Sequence, residues 1–365
     1  MARSRLAMVL VIGALALGLG APTAGGAAPV AGTAVGPALG AEPAAVAEAA
    51  SVAAPLPQLR PVRMGLILGV ATASFYIAQE RGWFTAEGID WQYEPLQVTS
   101  EALAQVATGN LEVANVTVGA AVLNSLVRGL DVKVIAGNTS YPPNGPSINA
   151  FMVRKDLYDS GVTDASGLRG RRVGGNSLGV FTEYAIDKAL ATGGLGMDDV
   201  EFVQMPFPDI PAGFSNRAID AAFTIEPAVS VIRAQNSAVQ IVPEWLRGAQ
   251  ETVLMGGPTF LRDRPLAEAF LRVYLRGVRA LEAEGMTPET AALVERYTHV
   301  SADLVRGMRT PYVDPDGRVN WDSLMDQQRF YMARGSATYS TPLDLERVLG
   351  EDGPRQAAVA ALGSQ

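Results

Sequence analysis

Short apolar runs alternate with amphipathic segments along most of the chain. Residues 62–70 (VRMGLILGV) and 88–96 (GIDWQYEPL) have the apolar density and the length of buried strands. Residues 74–84 and 100–110 carry apolar positions at helical spacing, and Ser100 is a suitable N-cap for the second of these helices. Because helices that alternate with strands cover the faces of a mostly parallel sheet, the pattern predicts an α/β fold.

A loop rich in Pro, Asn and Gly at residues 140–147 separates two such alternating units. The second unit is entered and left through two strands (NAFMVRKD and ETVLMGG), which predicts two lobes joined by a two-stranded hinge. We assign residues 61–152 and 251–350 to the first lobe with a helical tail, and residues 153–250 to the second lobe. In this arrangement a ligand binds between the lobes, at the carboxyl ends of strands.

The N-terminal region has the pattern of an exported protein. In residues 1–28, Arg3 and Arg5 precede an apolar run that ends near Leu19, and small residues follow, which predicts a signal peptide. A spanning anchor is the alternative, but it needs roughly 20 apolar residues. Residues 29–60 are almost entirely Ala, Pro, Gly and Val and predict a disordered segment. Since the chain has no Cys to carry a lipid anchor, we expect it to be free in the periplasm.

Charge and composition exclude several classes of partner. The formal net charge is −8, which disfavours nucleic acid and anionic membrane surfaces. With no Cys and a single His, we expect no transition-metal site, and we expect no cofactor. Residues 314–322 (DPDGRVNWD) resemble half of a calcium loop but lack its terminal Glu, so they predict a turn. We expect a monomer.

Residues 175–179 (GNSLG) match the G-x-S-x-G pattern around the nucleophile of serine hydrolases. A hydrolase would need His299 as its base, yet that residue ends a helical pattern, and no oxyanion segment precedes Ser177. A second interpretation is that Asn176 and Ser177 hold a ligand at the start of the next helix, whose free N–H groups face the cleft. We favour ligand binding and keep a secreted hydrolase with Ser177 and His299 as the alternative.

Other polar residues follow the predicted strands and belong to the same expected cleft. They are Thr72, Ser74, Asn115, Thr117, Asn138 and Thr139, with Phe75 as a neighbouring aromatic ring. Glu226 directly follows an apolar strand (DAAFTIEP) and precedes Pro227, which opens a helix. Its carboxylate could meet a ligand amine or lie at the N-terminus of its own helix, and both interpretations stay open.

Five segments carry the marks of a known family. In chain order they are FYIAQERGWFTAEGIDW, ALAQVATGNLEVANVTVGAAVLNSLVRGLDVKVIA, LRGRRVGGNSLG, AIDAAFTIEPAV and DPDGRVNWDSLMDQQRFYMARG. Across residues 62–349 the chain resembles the periplasmic substrate-binding proteins of ABC importers of the nitrate, sulfonate and taurine type. That family is related to the thiamine-precursor-binding proteins.

The resemblance implies a two-lobed periplasmic-binding-protein fold of type II, in which each lobe is a mostly parallel sheet flanked by helices. It implies a receptor without catalytic activity that captures a small polar molecule. The receptor would deliver this molecule to the permease and ATPase complex of an ABC importer at the inner membrane. With Asn176 added from its position before the serine, the expected ligand-binding residues are Thr72, Ala73, Ser74, Phe75, Val116, Thr117, Asn138, Asn176, Ser177, Leu178 and Glu226.

Two departures from the family pattern leave the ligand open. Glu112 stands where the family commonly has Asp, and the cleft loops contain no Arg. An Arg clamp is expected for a tightly held sulfonate or carboxylate. A neutral, thiamine-precursor-like or amine-bearing ligand with Glu226 as its partner therefore stays open beside the nitrate, sulfonate and taurine class.

Overall fold

The structure is a computed structural model that describes residues 54–96 and 99–365. The predicted signal peptide and most of the predicted disordered segment lie outside the described residues. The last residues of that segment differ from the prediction, because the Leu56 backbone N–H donates to the Glu87 carbonyl (3.1 Å) and the first strand begins at Arg60. The first lobe therefore begins several residues before the predicted boundary at residue 61.

Most of the predicted strands are present, although several are shorter than the apolar runs that predicted them. The strands are β1 (Arg60–Leu66), β2 (Ile89–Pro95), β3 (Val113–Thr117), β4 (Lys133–Gly137), β5 (Thr139–Ser140), β6 (Ala150–Arg154), β7 (Arg172–Gly175), β8 (Glu201–Gln204), β9 (Ala221–Thr224), β10 (Ala238–Ile241), β11 (Thr252–Gly256) and β12 (Tyr312–Val313).

Helices follow most of these strands. They are α1 (Ala73–Glu80), α2 (Trp83–Ala86), α3 (Thr99–Thr108), α4 (Ala120–Val127), α5 (Lys155–Asp159), α6 (Phe181–Ala191), α7 (Ile210–Ser215), α8 (Ala228–Gln235), α9 (Pro258–Arg262), α10 (Arg264–Glu284), α11 (Pro288–Thr298), α12 (Ala302–Arg306), α13 (Trp321–Ala333), α14 (Leu345–Leu349) and α15 (Gly353–Leu362). Helix α3 begins at Thr99, so the prediction of Ser100 as its N-cap was wrong, because Ser100 is the second residue of the helix. In the described residues, we find no helix with the length and apolarity that a membrane crossing requires.

Two five-stranded sheets form the centres of the two lobes. The first has the order β2-β1-β3-β11-β4, and the second has the order β10-β6-β9-β7-β8. In each sheet one strand runs antiparallel to its neighbours, β11 in the first sheet and β6 in the second. Buried apolar clusters cover both faces of each sheet. The prediction of a two-lobed α/β fold with mostly parallel sheets is confirmed.

The connections between the lobes form the two-stranded hinge. The two strands that were expected to flank the second lobe, β6 and β11, lie in different sheets, and the pairing of the hinge occurs just outside them. The Tyr141 N–H donates to the Ala249 carbonyl at 2.8 Å. The Glu251 N–H donates to the Thr139 carbonyl at 3.0 Å. The two chain segments that connect the lobes, called the crossings below, therefore lie side by side and form one wall of the space between the lobes.

The lobe boundaries differ from the predicted ones at two further places. Strand β6 begins at Ala150 and pairs with β9 and β10, so residues 150–152 belong to the second lobe. At the C-terminal end, α15 packs against α10 and places Ala358 in the first-lobe core, which extends this lobe beyond residue 350. Helix α13 contacts α4 of the first lobe and also α6 of the second.

Candidate ligand-binding site

A cavity of about 590 Å³ lies between the lobes and is lined by both lobes and by the hinge. The carboxyl ends of β1 and β3 and the start of α4 face it from the first lobe. The ends of β7 and β9 and the start of α6 face it from the second lobe. Five of the eleven residues predicted to bind ligand lie in its wall, namely Thr72, Thr117, Asn176, Ser177 and Glu226.

Thr72 holds the loop that follows β1. Its hydroxyl lies 3.1 Å from the carbonyl oxygens of Ile67 and Gly69 and 3.0 Å from the Tyr76 hydroxyl. The Gly69 N–H donates to that same Tyr76 hydroxyl at 3.2 Å. Because the side chain is almost fully buried and already bonded, Thr72 fixes the shape of the cavity wall.

Strand β3 shows why only one of its two predicted residues faces the cavity. Successive side chains of a strand point to opposite faces, so Asn115 and Thr117 share one face and Val116 lies on the other. Val116 is accordingly packed in the apolar cluster beneath the sheet. Asn115 lines the cavity, and its Nδ2 has no hydrogen-bond partner within the described part of the chain. The residues of β3 that line the cavity are therefore Asn115 and Thr117.

Asn176 and Ser177 lie between β7 and α6, as the sequence predicts. The Thr182 hydroxyl donates to Asn176 Oδ1 at 2.6 Å, and the Ser177 hydroxyl donates to the Leu178 carbonyl at 3.1 Å. Ser177 does not cap α6, because the N-cap position is Val180 and, among the described residues, no side chain bonds the first N–H groups of the helix. Glu183 Oε2 accepts the nearby Gly179 N–H at 2.7 Å. The lone pairs of the Ser177 oxygen are left for another donor.

Four other predicted residues, Ala73, Ser74, Phe75 and Asn138, lie behind the first-lobe wall. The first three begin α1, and Phe75 stacks on Trp91 and Tyr274 inside the core. Asn138 is buried and bonds to Thr252 Oγ1 (3.2 Å) and to the Tyr274 hydroxyl (3.0 Å). The side chain of Leu178 is 48% exposed and lies outside the cavity wall. The structure therefore places these residues and Val116 outside the cavity wall, and direct ligand contact by them stays a prediction.

Three phenylalanines of the second lobe give the cavity an aromatic wall that the sequence did not identify. They are Phe181 at the start of α6, Phe207 after β8 and Phe223 in β9. Phe223 packs edge-on against both of the others, with ring centroids 6.5 Å from Phe181 and 6.1 Å from Phe207. Such faces suit a ligand with a flat or apolar part.

Glu226 lies at the end of β9, where the sequence predicts it. Its Oε2 accepts the Ser230 N–H at 3.0 Å, and its Oε1 has no partner among the described residues. Burial raises the pKa of Glu226 above its usual range, while the Ser230 hydrogen bonds and the charges of Arg233 and Arg309 oppose that shift. The side chain therefore both contacts its own helix and faces the cavity, so the two interpretations of Glu226 are compatible.

Glu251 is a second carboxylate in the wall, and the sequence pattern does not predict it. It belongs to the hinge, and its oxygens lie 3.1 and 3.0 Å from Asn149 Nδ2. Burial raises the pKa of Glu251 to about 7, and the hydrogen bond from Asn149 opposes this shift. Locally, the sequence shows only a Glu directly before a buried strand. The position of Glu251 in the cavity wall depends on how the two crossings pair.

The cavity has no cationic side chain to match these carboxylates. Within the described residues, none that lines it is Lys, Arg or His. The single histidine, His299, ends α11 in the first lobe and lies outside the cavity wall, so it is not placed to serve Ser177 as a base. The described residues also contain no group of three or more His, Cys, Asp or Glu side chains that could hold a metal ion.

The two lobes, the paired hinge and the cavity between them define a periplasmic-binding-protein fold of type II. Residues 70–307 match the family model described as NMT1/THI5 like, and the chain belongs to this family. The resemblance seen in the sequence is thereby confirmed.

Several known proteins with related sequence or structure are binding proteins. The riboflavin-binding protein RibY of Chloroflexus aurantiacus is 26% identical over 278 residues, covering 73% of this chain and 68% of RibY. The nitrate-binding protein NrtA of Synechocystis superposes with a TM-score of 0.66 at 16% identity, over 84% of this chain and 89% of NrtA. The alkanesulfonate-binding protein SsuA of Xanthomonas axonopodis, bound to MOPS, gives 0.62 at 14% identity, over 80% of this chain and 98% of SsuA.

The same fold also occurs in an enzyme. The desulfurization enzyme DSZB superposes with a TM-score of 0.54 at 18% identity, over 82% of this chain and 99% of that enzyme. At sequence identities this low, structural similarity shows a shared fold and not a shared ligand. The ligand must therefore be inferred from the site itself.

Proposed function

We propose that this protein is the solute-binding receptor of an ABC importer. It captures a small organic molecule in the cavity between its lobes and delivers it to a membrane permease and its ATPase. The observation that carries the proposal is the cavity of about 590 Å³, lined by polar and apolar side chains of both lobes and of the hinge. A ligand held by both lobes stabilises the closed form, since only contacts that differ between open and closed states shift their equilibrium.

The proposed ligand has an apolar or aromatic part and is uncharged or amine-bearing. Phenylalanine rings offer it a flat face, and Asn115 and Ser177 offer polar atoms. A nitrate or sulfonate ligand, the class that the sequence resemblance implies, is less favoured because no basic side chain lines the described cavity. RibY is named for riboflavin binding, so riboflavin is a sound first probe.

We further propose that the protein acts in the periplasm as a monomer, after removal of residues 1–28. Its proposed partners are the permease and ATPase of the importer, and it needs no cofactor for binding. A protein of this kind changes nothing chemically in its ligand, so we propose that it is not an enzyme.

A thermal-shift screen of the purified protein tests the receptor function. We expect one or more of riboflavin, small amines, nitrate and alkanesulfonates to raise the midpoint, by a stabilisation of about 2.7 kcal/mol at a hundredfold excess over the dissociation constant. The shift should shrink in Ser177→Ala and persist in His299→Ala, because Ser177 lines the cavity and His299 does not. Hydrolysis of model esters that is lost in both variants would overturn the proposal in favour of a hydrolase.

A further inference from the structure

Two carboxylates face the same cavity from different parts of the fold. Glu226 lies two residues after the end of β9 in the second lobe, and Glu251 belongs to the hinge. Glu226 is only 9% exposed, and its Oε1 has no hydrogen-bond partner in the described part of the protein. A buried carboxylate oxygen without a donor is costly, so this atom is expected to meet a donor from a bound molecule.

Glu251 has a neutral partner. Among the described residues, the hydrogen-bond donor to both of its carboxylate oxygens is Asn149 Nδ2, which lies 3.1 Å from the Tyr141 hydroxyl as well. Tyr141 is the titratable neighbour of this carboxylate, and burial keeps the pKa of Tyr141 well above its usual range. The hydroxyl is therefore neutral and supplies no compensating charge.

The nearest cations to Glu226 do not neutralise it by direct contact. Arg233 and Arg309 act on it at longer range, and neither forms an ion pair with it in the described structure. Arg233 donates to Gln240, and Arg309 donates to the Ser147 carbonyl. The charge of both carboxylates is thus left for a group inside the cavity.

We propose that Glu226 and Glu251 select a ligand that carries a positively charged nitrogen on an aromatic or apolar frame. The inference rests on the proposed receptor function and narrows its ligand class. A carboxylate only accepts hydrogen bonds, and a charge-assisted bond from a cationic N–H is stronger than a neutral one. The faces of Phe181, Phe207 and Phe223 also attract a cation held against them.

Benzamidine and benzamide, and 2-phenylethylamine and 2-phenylethanol, test this selection as pairs that differ in charge. We expect each cation to bind the wild-type protein about 10-fold more tightly than its neutral counterpart near pH 8, measured by calorimetry. In Glu251→Gln and Glu226→Gln the preference should fall to about 3-fold or less, because Gln keeps the shape but not the charge. The charge-matched control is Glu201→Gln, an exposed residue of β8, which should keep the full preference.

Proton release on ligand binding shows whether Glu251 contacts the cation directly or only supports the structure of the site. Since the pKa of Glu251 is about 7, binding of a cation near neutral pH should release about half a proton, seen as a buffer-dependent heat. Glu251→Gln should abolish this release.

Each outcome is decisive. Equal binding of charged and neutral probes, or binding of riboflavin or a sulfonate with no binding of any amine, would overturn the charge selection and leave the receptor function standing. Failure of every probe, together with no small molecule released from the denatured protein, would overturn the receptor function itself.

Discussion

At the scale of single residues, the burial of Glu251 makes the stability of the protein depend on pH. Because burial raises its pKa to about 7 from 4.5 when unfolded, the native state binds more protons than the unfolded state between these values. The stability that this group contributes is present below about pH 4.5 and is lost as the pH rises through about 7. We expect ligand-free Glu251→Gln to be more stable than wild type by about 1–3 kcal/mol at pH 8.

Urea denaturation across the pH range measures this effect. The difference between Glu251→Gln and wild type should shrink toward zero near pH 5, where the native carboxyl is already protonated. A difference that stays constant from pH 5 to pH 8 would contradict the shifted pKa.

Thr72 is the residue on which the first-lobe wall depends. Thr72→Val removes a buried hydroxyl that bonds Tyr76 and two loop carbonyls, so we expect a loss of about 1–3 kcal/mol in unfolding free energy. Thr108→Val is the matched control, since the Thr108 hydroxyl is exposed and bonds only carbonyls of its own helix. Equal losses in the two variants, measured by urea denaturation, would show that Thr72 does not hold the loop.

The residues that could be predicted from sequence are those that depend on local pattern. Asn176, Ser177 and Glu226 follow strands directly, and the structure places all three in the cavity wall. The alternation of β3 would have favoured Asn115 over Val116, because Thr117 and Asn115 share a face. Glu251 could not be identified in this way, since its position depends on the pairing of two crossings about 110 residues apart in the chain.

At the scale of elements, α13 joins the C-terminal part of the first lobe to the second lobe. Arg334, at the end of α13, donates to Glu183 Oε1 (3.0 Å) and to Asp198 Oδ1 (2.7 Å). Glu183 accepts the Gly179 N–H with its other oxygen, so this ion pair reaches the loop that carries Ser177. Another contact across the lobes is the hydrogen bond from the Ala120 N–H to the Gly179 carbonyl (3.0 Å).

Arg334→Met should therefore favour the open form. The pair with Glu183 is partly buried, so we expect a cost of about 1 kcal/mol to the closed form and a several-fold loss of ligand affinity. Small-angle scattering should show a larger radius of gyration for the variant than for wild type. Arg306→Met is the control, because in the described structure Arg306 pairs with Asp303 on its own helix α12, within the first lobe. An unchanged radius and affinity in Arg334→Met would contradict the coupling.

Element prediction succeeded where apolar spacing and length agreed. The buried strand β11 follows directly from the apolar segment ETVLMGG, and it is present at Thr252–Gly256, close to the predicted bounds. The exact ends were less predictable, since Ser100 has the chemistry of an N-cap and yet lies one residue inside α3.

At the scale of the whole molecule, strand–helix alternation and one polar loop were enough to predict two lobes. The direction of β6 and β11 was not predictable, because an antiparallel strand within a mostly parallel sheet has no local signature. That feature matters for function, since it is how both crossings come to lie at the edge of the cavity.

The central claim is that the cavity between the lobes holds a small molecule, and mass spectrometry of denatured protein tests it most directly. Ala121 lines the cavity from the first turn of α4, so Ala121→Trp should fill the space. Ala104→Trp, at an exposed position of α3, is the matched control. We predict that wild type and Ala104→Trp release the same small molecule and that Ala121→Trp releases none. Equal release from all three proteins would contradict the account.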